Sequence, residues 1–198
     1  MIKYILLIFF PMILLGQEFQ SWNTFNIKGK LGDRWELAAE PELRYSLDDI
    51  EYFHFDIGVV YKVIDKLKVG LYYREIFENK SNMRVHEMRP HIDVFYKFNK
   101  FFKIRVRNEY QIKQISDNVW RIRFRPTFTY KIHELFQPYI QTEPFFTVNG
   151  FIRNRLNIGI GLVHKKMWFK PGYQLQTDLK NGNVSQIHTL WINIGIKL

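Results

Sequence analysis

The sequence predicts an all-β fold: an antiparallel up-and-down transmembrane β-barrel of about 10–12 strands. Three observations predict it. Apolar residues alternate with polar residues along most of the chain, which is the period of a strand and not of a helix. Aromatic residues make up 17% of the 198 residues and fall largely on the apolar positions of that pattern. Alanine, the best helix former, occurs only at Ala38 and Ala39, which argues against a helical bundle.

The first sixteen residues have the pattern of a secretory signal peptide. Lys3 precedes an uncharged apolar run over 4–15, and the small residue Gly16 suits a cleavage position. The run is too short to cross a bilayer as a helix, which needs about 20 residues. We therefore expect a signal peptide over 1–16 and a single barrel domain over 17–198. Export makes a nucleic-acid partner improbable, despite a net charge of +10.

Alternation is clearest from Trp120 to Ile132, where every second residue is apolar or aromatic and three arginines lie between. Further copies lie at 35–45, 53–63, 102–112, 156–162 and 190–198. Weaker copies lie near 67–77, 84–98, 136–147 and 167–178, and a poorly alternating copy lies at 19–29. Bacterial barrels of one chain have even strand numbers. The segment 17–30 is therefore either the first strand or a periplasmic extension. The spacing of the copies also predicts short periplasmic turns and longer extracellular loops.

The polar positions of these strands would face the barrel interior. Over 103–131 they hold seven cationic residues, Lys131 included, against Glu109. Two interpretations stay open: arginine–glutamate pairs that fill the lumen, or a lumen that favours anions. The predicted lumen charge network consists of Glu40, Glu42, Arg44, Arg105, Arg107, Glu109, Arg121, Arg123, Arg125, Glu143 and Arg155.

Aromatic residues beside the short turns predict a girdle at the periplasmic interface. Its predicted members are Trp35, Tyr61, Phe98, Phe102, Tyr130 and Trp168.

Catalytic patterns are weak. Ser116 follows the strand near 102–112, and His86 lies at the matching end of a neighbouring strand, so a phospholipase-like serine–histidine pair is conceivable. A chance loop serine is the simpler interpretation, and we expect no enzyme activity. The chain has no cysteine, and no histidine pair has metal-ligand spacing on one strand face. We expect no metal and no cofactor.

Several short blocks, in this order, resemble a family of small outer-membrane β-barrels of Bacteroidetes-type bacteria that is known only as a domain of unknown function. These blocks are Trp22 with 35–37, Glu40 and 43–44; 58–62; 67–70; 107–110; 138–139 with Glu143; 155–156 with Gly159 and Gly161; and 195–198. The resemblance implies insertion by the barrel-assembly machinery through the C-terminal strand, although Leu198 replaces the more usual terminal aromatic residue. It implies no activity, so it carries over no catalytic residue.

The sequence therefore predicts a protein of the Gram-negative outer membrane that contacts its lipids. Its expected role is a narrow, porin-like pore for small anionic solutes or an envelope scaffold with an arginine-rich lumen. The alternatives are a lipid-modifying enzyme and a secreted β-sandwich that binds a ligand.

Overall fold

A computed structural model describes residues 18–46, 50–80, 83–180 and 182–198. Eleven strands form one closed barrel. The strands are β1 (Glu18–Leu31), β2 (Trp35–Tyr45), β3 (Ile50–Ile64), β4 (Leu67–Lys80), β5 (Met83–Lys97), β6 (Phe102–Lys113), β7 (Val119–Thr129), β8 (Phe136–Thr147), β9 (Gly150–His164), β10 (Met167–Lys180) and β11 (Asn183–Lys197). Within the described ranges, no helix has the length and hydrophobicity to cross a membrane. The predicted signal peptide lies outside the described residues.

The barrel closes where β1 meets β11, and these two strands run parallel. Every other neighbouring pair is antiparallel. An odd number of strands forces this arrangement, because the first and last strands of an up-and-down sheet then point the same way. Eleven strands fall within the predicted range of about 10–12, and the predicted antiparallel pairing is wrong only at this seam. The segment near 19–29 is the first strand, with Trp22 opposite Trp191 and Lys28 opposite Lys197.

The two ends of the barrel are distinguished by the position of the C-terminus. The C-terminal rim carries the β1–β2, β3–β4, β5–β6, β7–β8 and β9–β10 turns together with the end of β11; the opposite rim carries the other connections. The prediction of longer loops at the opposite rim is wrong. Two residues join β4 to β5 and two join β8 to β9, whereas six residues, 130–135, join β7 to β8 at the C-terminal rim. Strand pairing continues into residues that the sequence pattern assigned to loops.

The barrel wall has an apolar outer face and a polar inner face, because side chains alternate across a strand. In β7, Arg121 and Arg123 are buried in the lumen, while Trp120 and Ile122 are exposed on the outside. Similar exposed apolar residues occur on every other strand except β6, whose apolar side chains are half-buried. An apolar surface around a polar interior is the arrangement of a transmembrane barrel. A single closed sheet also excludes the β-sandwich alternative, which needs two packed sheets.

Bulky inward side chains lie over inward glycines of the same strand or of a neighbouring strand. The ring of Tyr72 covers Gly58 and Gly70, and the ring of Trp168 covers Gly195. A Cβ atom at Gly58 or Gly195 would overlap the covering ring. These glycines therefore make room for large side chains inside a narrow barrel.

Candidate functional site in the barrel lumen

The structure places all eleven residues of the predicted lumen charge network on the inner face of the wall. Arg105 and Arg107 lie on β6, Arg121, Arg123 and Arg125 on β7, and the acidic members on β2, β6 and β8. Arg155 makes its side-chain hydrogen bond with Gln176, at 2.8 Å, and not with a carboxylate. Lys131, expected on the same face, lies instead in the exposed β7–β8 turn, where it faces Glu134 at 3.8 Å.

Glu143 is the most heavily paired carboxylate of the network. It is fully buried and accepts hydrogen bonds from Arg105 at 2.8 Å and from Arg125 at 2.7 Å. Arg123 binds Glu143 with one terminal nitrogen at 2.9 Å and Glu109 with the other at 3.2 Å. Arg121 also binds Glu109. One arginine therefore links the two buried glutamates of β6 and β8.

Acidic residues that the sequence reasoning missed neutralise part of the arginine excess. Asp93 of β5 receives two hydrogen bonds from Arg107, at 2.7 and 2.8 Å. Asp56 of β3 receives two from Arg74, at 3.1 and 2.6 Å. The signal was present in the sequence, since Asp56 alternates with apolar residues in a clear strand. Arg74 and Asp93 lie in weakly alternating strands, and a pairing between neighbouring strands cannot be deduced from one strand alone.

The half of the lumen near the opposite rim is filled by side chains. Phe145 is fully buried, with the guanidinium groups of Arg121, Arg123 and Arg155 at 5.0, 4.6 and 4.9 Å from its ring centre. The central guanidinium carbon of Arg44 lies 3.7 Å from the ring centre of Trp22. Such stacked contacts between cations and aromatic rings stabilise both partners in a dry interior. These side chains restrict any path through this half of the barrel.

The middle of the lumen holds a cavity of about 250 Å³, called here the basic cavity. Among the described residues that line it, ten are cationic and four are acidic. The cationic ones are Lys28, Arg44, Arg74, Lys103, Arg105, Arg107, Arg123, Arg125, Arg155 and Lys170; the acidic ones are Glu40, Glu42, Asp56 and Asp93. The surplus of positive charge makes this cavity a favourable place for an anion.

A wider space of about 670 Å³, the basic vestibule, lies at the C-terminal rim. Its described lining includes Lys66, Lys68, Lys97, Lys100 and Lys197, with Asp65 as the acidic member. Lys103, Arg105 and Arg125 line both the vestibule and the cavity. Phe95 and Gln141 also line both spaces, so the two spaces meet at these five residues, and positive charge continues from the rim to the middle of the barrel.

Five of the six predicted girdle residues lie on the outside at the C-terminal rim. Trp35 and Tyr61 have ring centres 4.7 Å apart, Phe98 and Phe102 have theirs 5.1 Å apart, and Tyr130 is exposed. The prediction is wrong for Trp168, which points into the lumen and donates a hydrogen bond to Asn193 at 2.8 Å. Met167 and Phe169 take the outward positions beside it.

The structure does not bring Ser116 and His86 together as a catalytic pair. His86 lies on the outer face and contacts Glu75 at 2.7 Å through Nε2, while Ser116 is exposed in the β6–β7 loop. Among the described residues, no hydrogen bond joins the serine to the histidine.

Glu40, His54 and Asp56 are the one described group of ligand-type side chains close enough to share a metal ion. Arg74 already contacts Glu40 at 3.5 Å and Asp56 at 2.6 Å, so a guanidinium supplies the positive charge there.

These features define a closed β-barrel with a basic lumen. Residues 19–187 match the family described as "Protein of unknown function (DUF2490)", and the chain belongs to that family. The fold is similar to the solved structure of a NanC porin, with a TM-score of 0.60 and 14% sequence identity. The similarity covers 90% of this chain and 98% of that chain. A comparison with curated proteins finds no match.

Proposed function

We propose that this protein is an outer-membrane barrel that acts as a narrow pore for small anions. The observation that carries the proposal is the surplus of cationic over acidic side chains around the basic cavity, ten against four among the described lining residues. Positive side chains around a pore favour anions and repel cations. The similarity of the fold to a porin agrees with a pore-type role.

We further propose that the C-terminal rim faces the periplasm of a Gram-negative cell. The aromatic residues outside this rim suit a membrane interface, and exposed lysines such as Lys66 and Lys100 suit contact with lipid headgroups. The expected partners are outer-membrane lipids and the machinery that inserts barrels through their last strand. Membrane fractionation with heat-modifiable migration on a gel tests this location. A soluble product whose migration does not change on heating would contradict it.

A flux assay tests the pore. Liposomes that contain the refolded full chain and a chloride-sensitive dye should lose dye fluorescence when chloride is added outside. The double variant Lys103→Glu, Lys170→Glu should slow this flux, because it reverses two charges of the basic cavity. The matched control Lys131→Glu changes a lysine that lines neither space and should leave the flux unchanged. Equal flux in all three proteins would contradict the proposal.

A second candidate is a closed envelope scaffold. The filled half of the lumen around Phe145 favours it, because buried side chains leave little room for a solute. The same liposomes separate the two functions: a folded barrel without chloride flux is a scaffold. We propose no catalytic role, since Ser116 lacks a hydrogen bond to His86 in the described structure.

A further inference from the structure

We propose that the junction of the basic cavity and the basic vestibule is a binding site for small oxyanions that carry two or more negative groups, such as tricarboxylates or phosphate esters. This inference deepens the proposed function, since it names the solute class and the place where the solute would bind.

Three lysines line the basic cavity near one another, and Lys103 among them lies at the junction with the basic vestibule. Lys28 of β1, Lys103 of β6 and Lys170 of β10 all line the basic cavity, and their ammonium groups act electrostatically on one another. Among the described residues, no carboxylate lies within ion-pair distance of Lys103 or Lys170. Lys28 has one partner, Glu36, at 3.8 Å. Uncompensated like charges that face each other across a lumen are stabilised by an anion between them.

Buried donors in the same wall also lack partners. The Nε–H groups of Arg105 and Arg125 and the side-chain amide nitrogens of Asn26 and Gln174 are buried without a hydrogen bond. Asn26 lies two residues from Lys28, Arg105 lies two residues from Lys103, and Arg125 pairs with Arg105 in the register of β6 and β7. All four residues line the basic cavity. Buried donors left unpaired are costly, and an oxyanion accepts hydrogen bonds from several at once. The buried polar atoms without a hydrogen-bond partner at this place are therefore mainly donors, and this favours the binding of an anion over that of a cation.

Two carboxylates beside the junction, those of Glu143 and Asp93, are already occupied. Glu143 accepts from three arginines, and Asp93 accepts both of its hydrogen bonds from Arg107. Neither can turn to neutralise the lysines without leaving a buried guanidinium unpaired. The remaining positive charge is therefore available to a solute.

The spacing of the charges indicates more than one negative group. Lys103 and Arg105 are two residues apart on the same face of β6, which separates their levels by about 7 Å along the strand. An anion with two separated groups can reach both levels, whereas chloride can occupy only one. The cavity volume of about 250 Å³ limits the solute to a small molecule.

Tryptophan fluorescence of the refolded full chain in detergent tests the site, because Trp168 and Trp191 line the basic cavity. At constant ionic strength, citrate or fructose 1,6-bisphosphate should give a saturable change, and chloride should not. Loss of one charged hydrogen bond should weaken binding about tenfold, so Lys103→Gln and Lys170→Gln should each show that loss. The control Lys131→Gln should bind as the unchanged protein does. A response to only one of the two probes would decide between carboxylate and phosphate chemistry.

The inference is overturned if neither probe gives a saturable change, or if both glutamine variants bind as tightly as the unchanged protein. If a glutamine variant does not fold, Lys103→Arg keeps the charge and should retain binding, and thermal unfolding of the unchanged barrel should shift upward with citrate. Anion binding without chloride flux would contradict the proposed pore function but support the proposed binding site. Chloride flux without citrate or phosphate-ester binding would contradict the proposed binding site but support the proposed pore function.

Discussion

Replacing Glu143 by glutamine should destabilise the barrel more than any surface charge change. The variant Glu143→Gln keeps the size of the side chain but removes the charge that Arg105, Arg123 and Arg125 share. Glu143 has no solvent exposure, so water cannot replace it. Removing one partner of a buried ion pair costs about 3–5 kcal/mol. Arg125 loses its ion-pair partner here, while Arg123 keeps Glu109 at 3.2 Å and Arg105 keeps a longer contact with Asp93 at 3.7 Å. We expect a decrease of about 3–5 kcal/mol in the free energy of unfolding.

Urea unfolding of the barrel in lipid vesicles, followed by tryptophan fluorescence, measures this change. Glu134→Gln is the matched control, because Glu134 is exposed and its 3.8 Å contact with Lys131 is a surface pair. Surface pairs contribute about 0–1 kcal/mol, so the control should be close to the unchanged protein. If Glu143→Gln lowers the unfolding free energy no more than the control does, the paired network does not hold the lumen together.

Three further outcomes are expected. Gly195→Ala should lower the unfolding free energy by about 1–3 kcal/mol, because the new Cβ atom would overlap the ring of Trp168. The control Gly29→Ala should be close to neutral, because no atom lies within 4 Å of a Cβ at that position. Equal unfolding midpoints for the two variants would refute the packing of Trp168. Asp93→Asn should also destabilise the barrel, by about 3 kcal/mol, because Arg107 loses the paired negative charge and one of its two short hydrogen bonds. A midpoint within error of the unchanged protein would show that Arg107 finds another partner. Ser116→Ala should leave lipid hydrolysis at the background level of the unchanged barrel, and activity that disappears in this variant would revive the enzyme alternative.

The strands and their faces could be predicted because alternation is local. The arginines between Trp120 and Ile132 all had to share one face, and the structure places Arg121, Arg123 and Arg125 in the lumen. The prediction that Trp168 belongs to the outer girdle is wrong because it rests on the proximity of Trp168 to a turn and not on the alternation of side chains along the strand. In β10 that alternation is hard to read, since Pro171 and Gly172 interrupt it.

The features that the sequence could not provide are non-local. The parallel pairing of β1 with β11 depends on the strand count of the whole barrel, which a single strand does not encode. The pairing of Arg107 with Asp93 depends on the register between β5 and β6. The junction site is a third case, because Lys28, Lys103 and Lys170 come from three strands that meet only when the barrel closes.

The reversal potential of the unchanged protein in a planar bilayer tests the central claim, that the basic lumen is a path for anions. With a potassium chloride gradient across the bilayer, the account predicts a small conductance and a reversal potential displaced toward the chloride equilibrium potential. A displacement toward the potassium equilibrium potential would contradict the account, as would a folded, inserted barrel that carries no current.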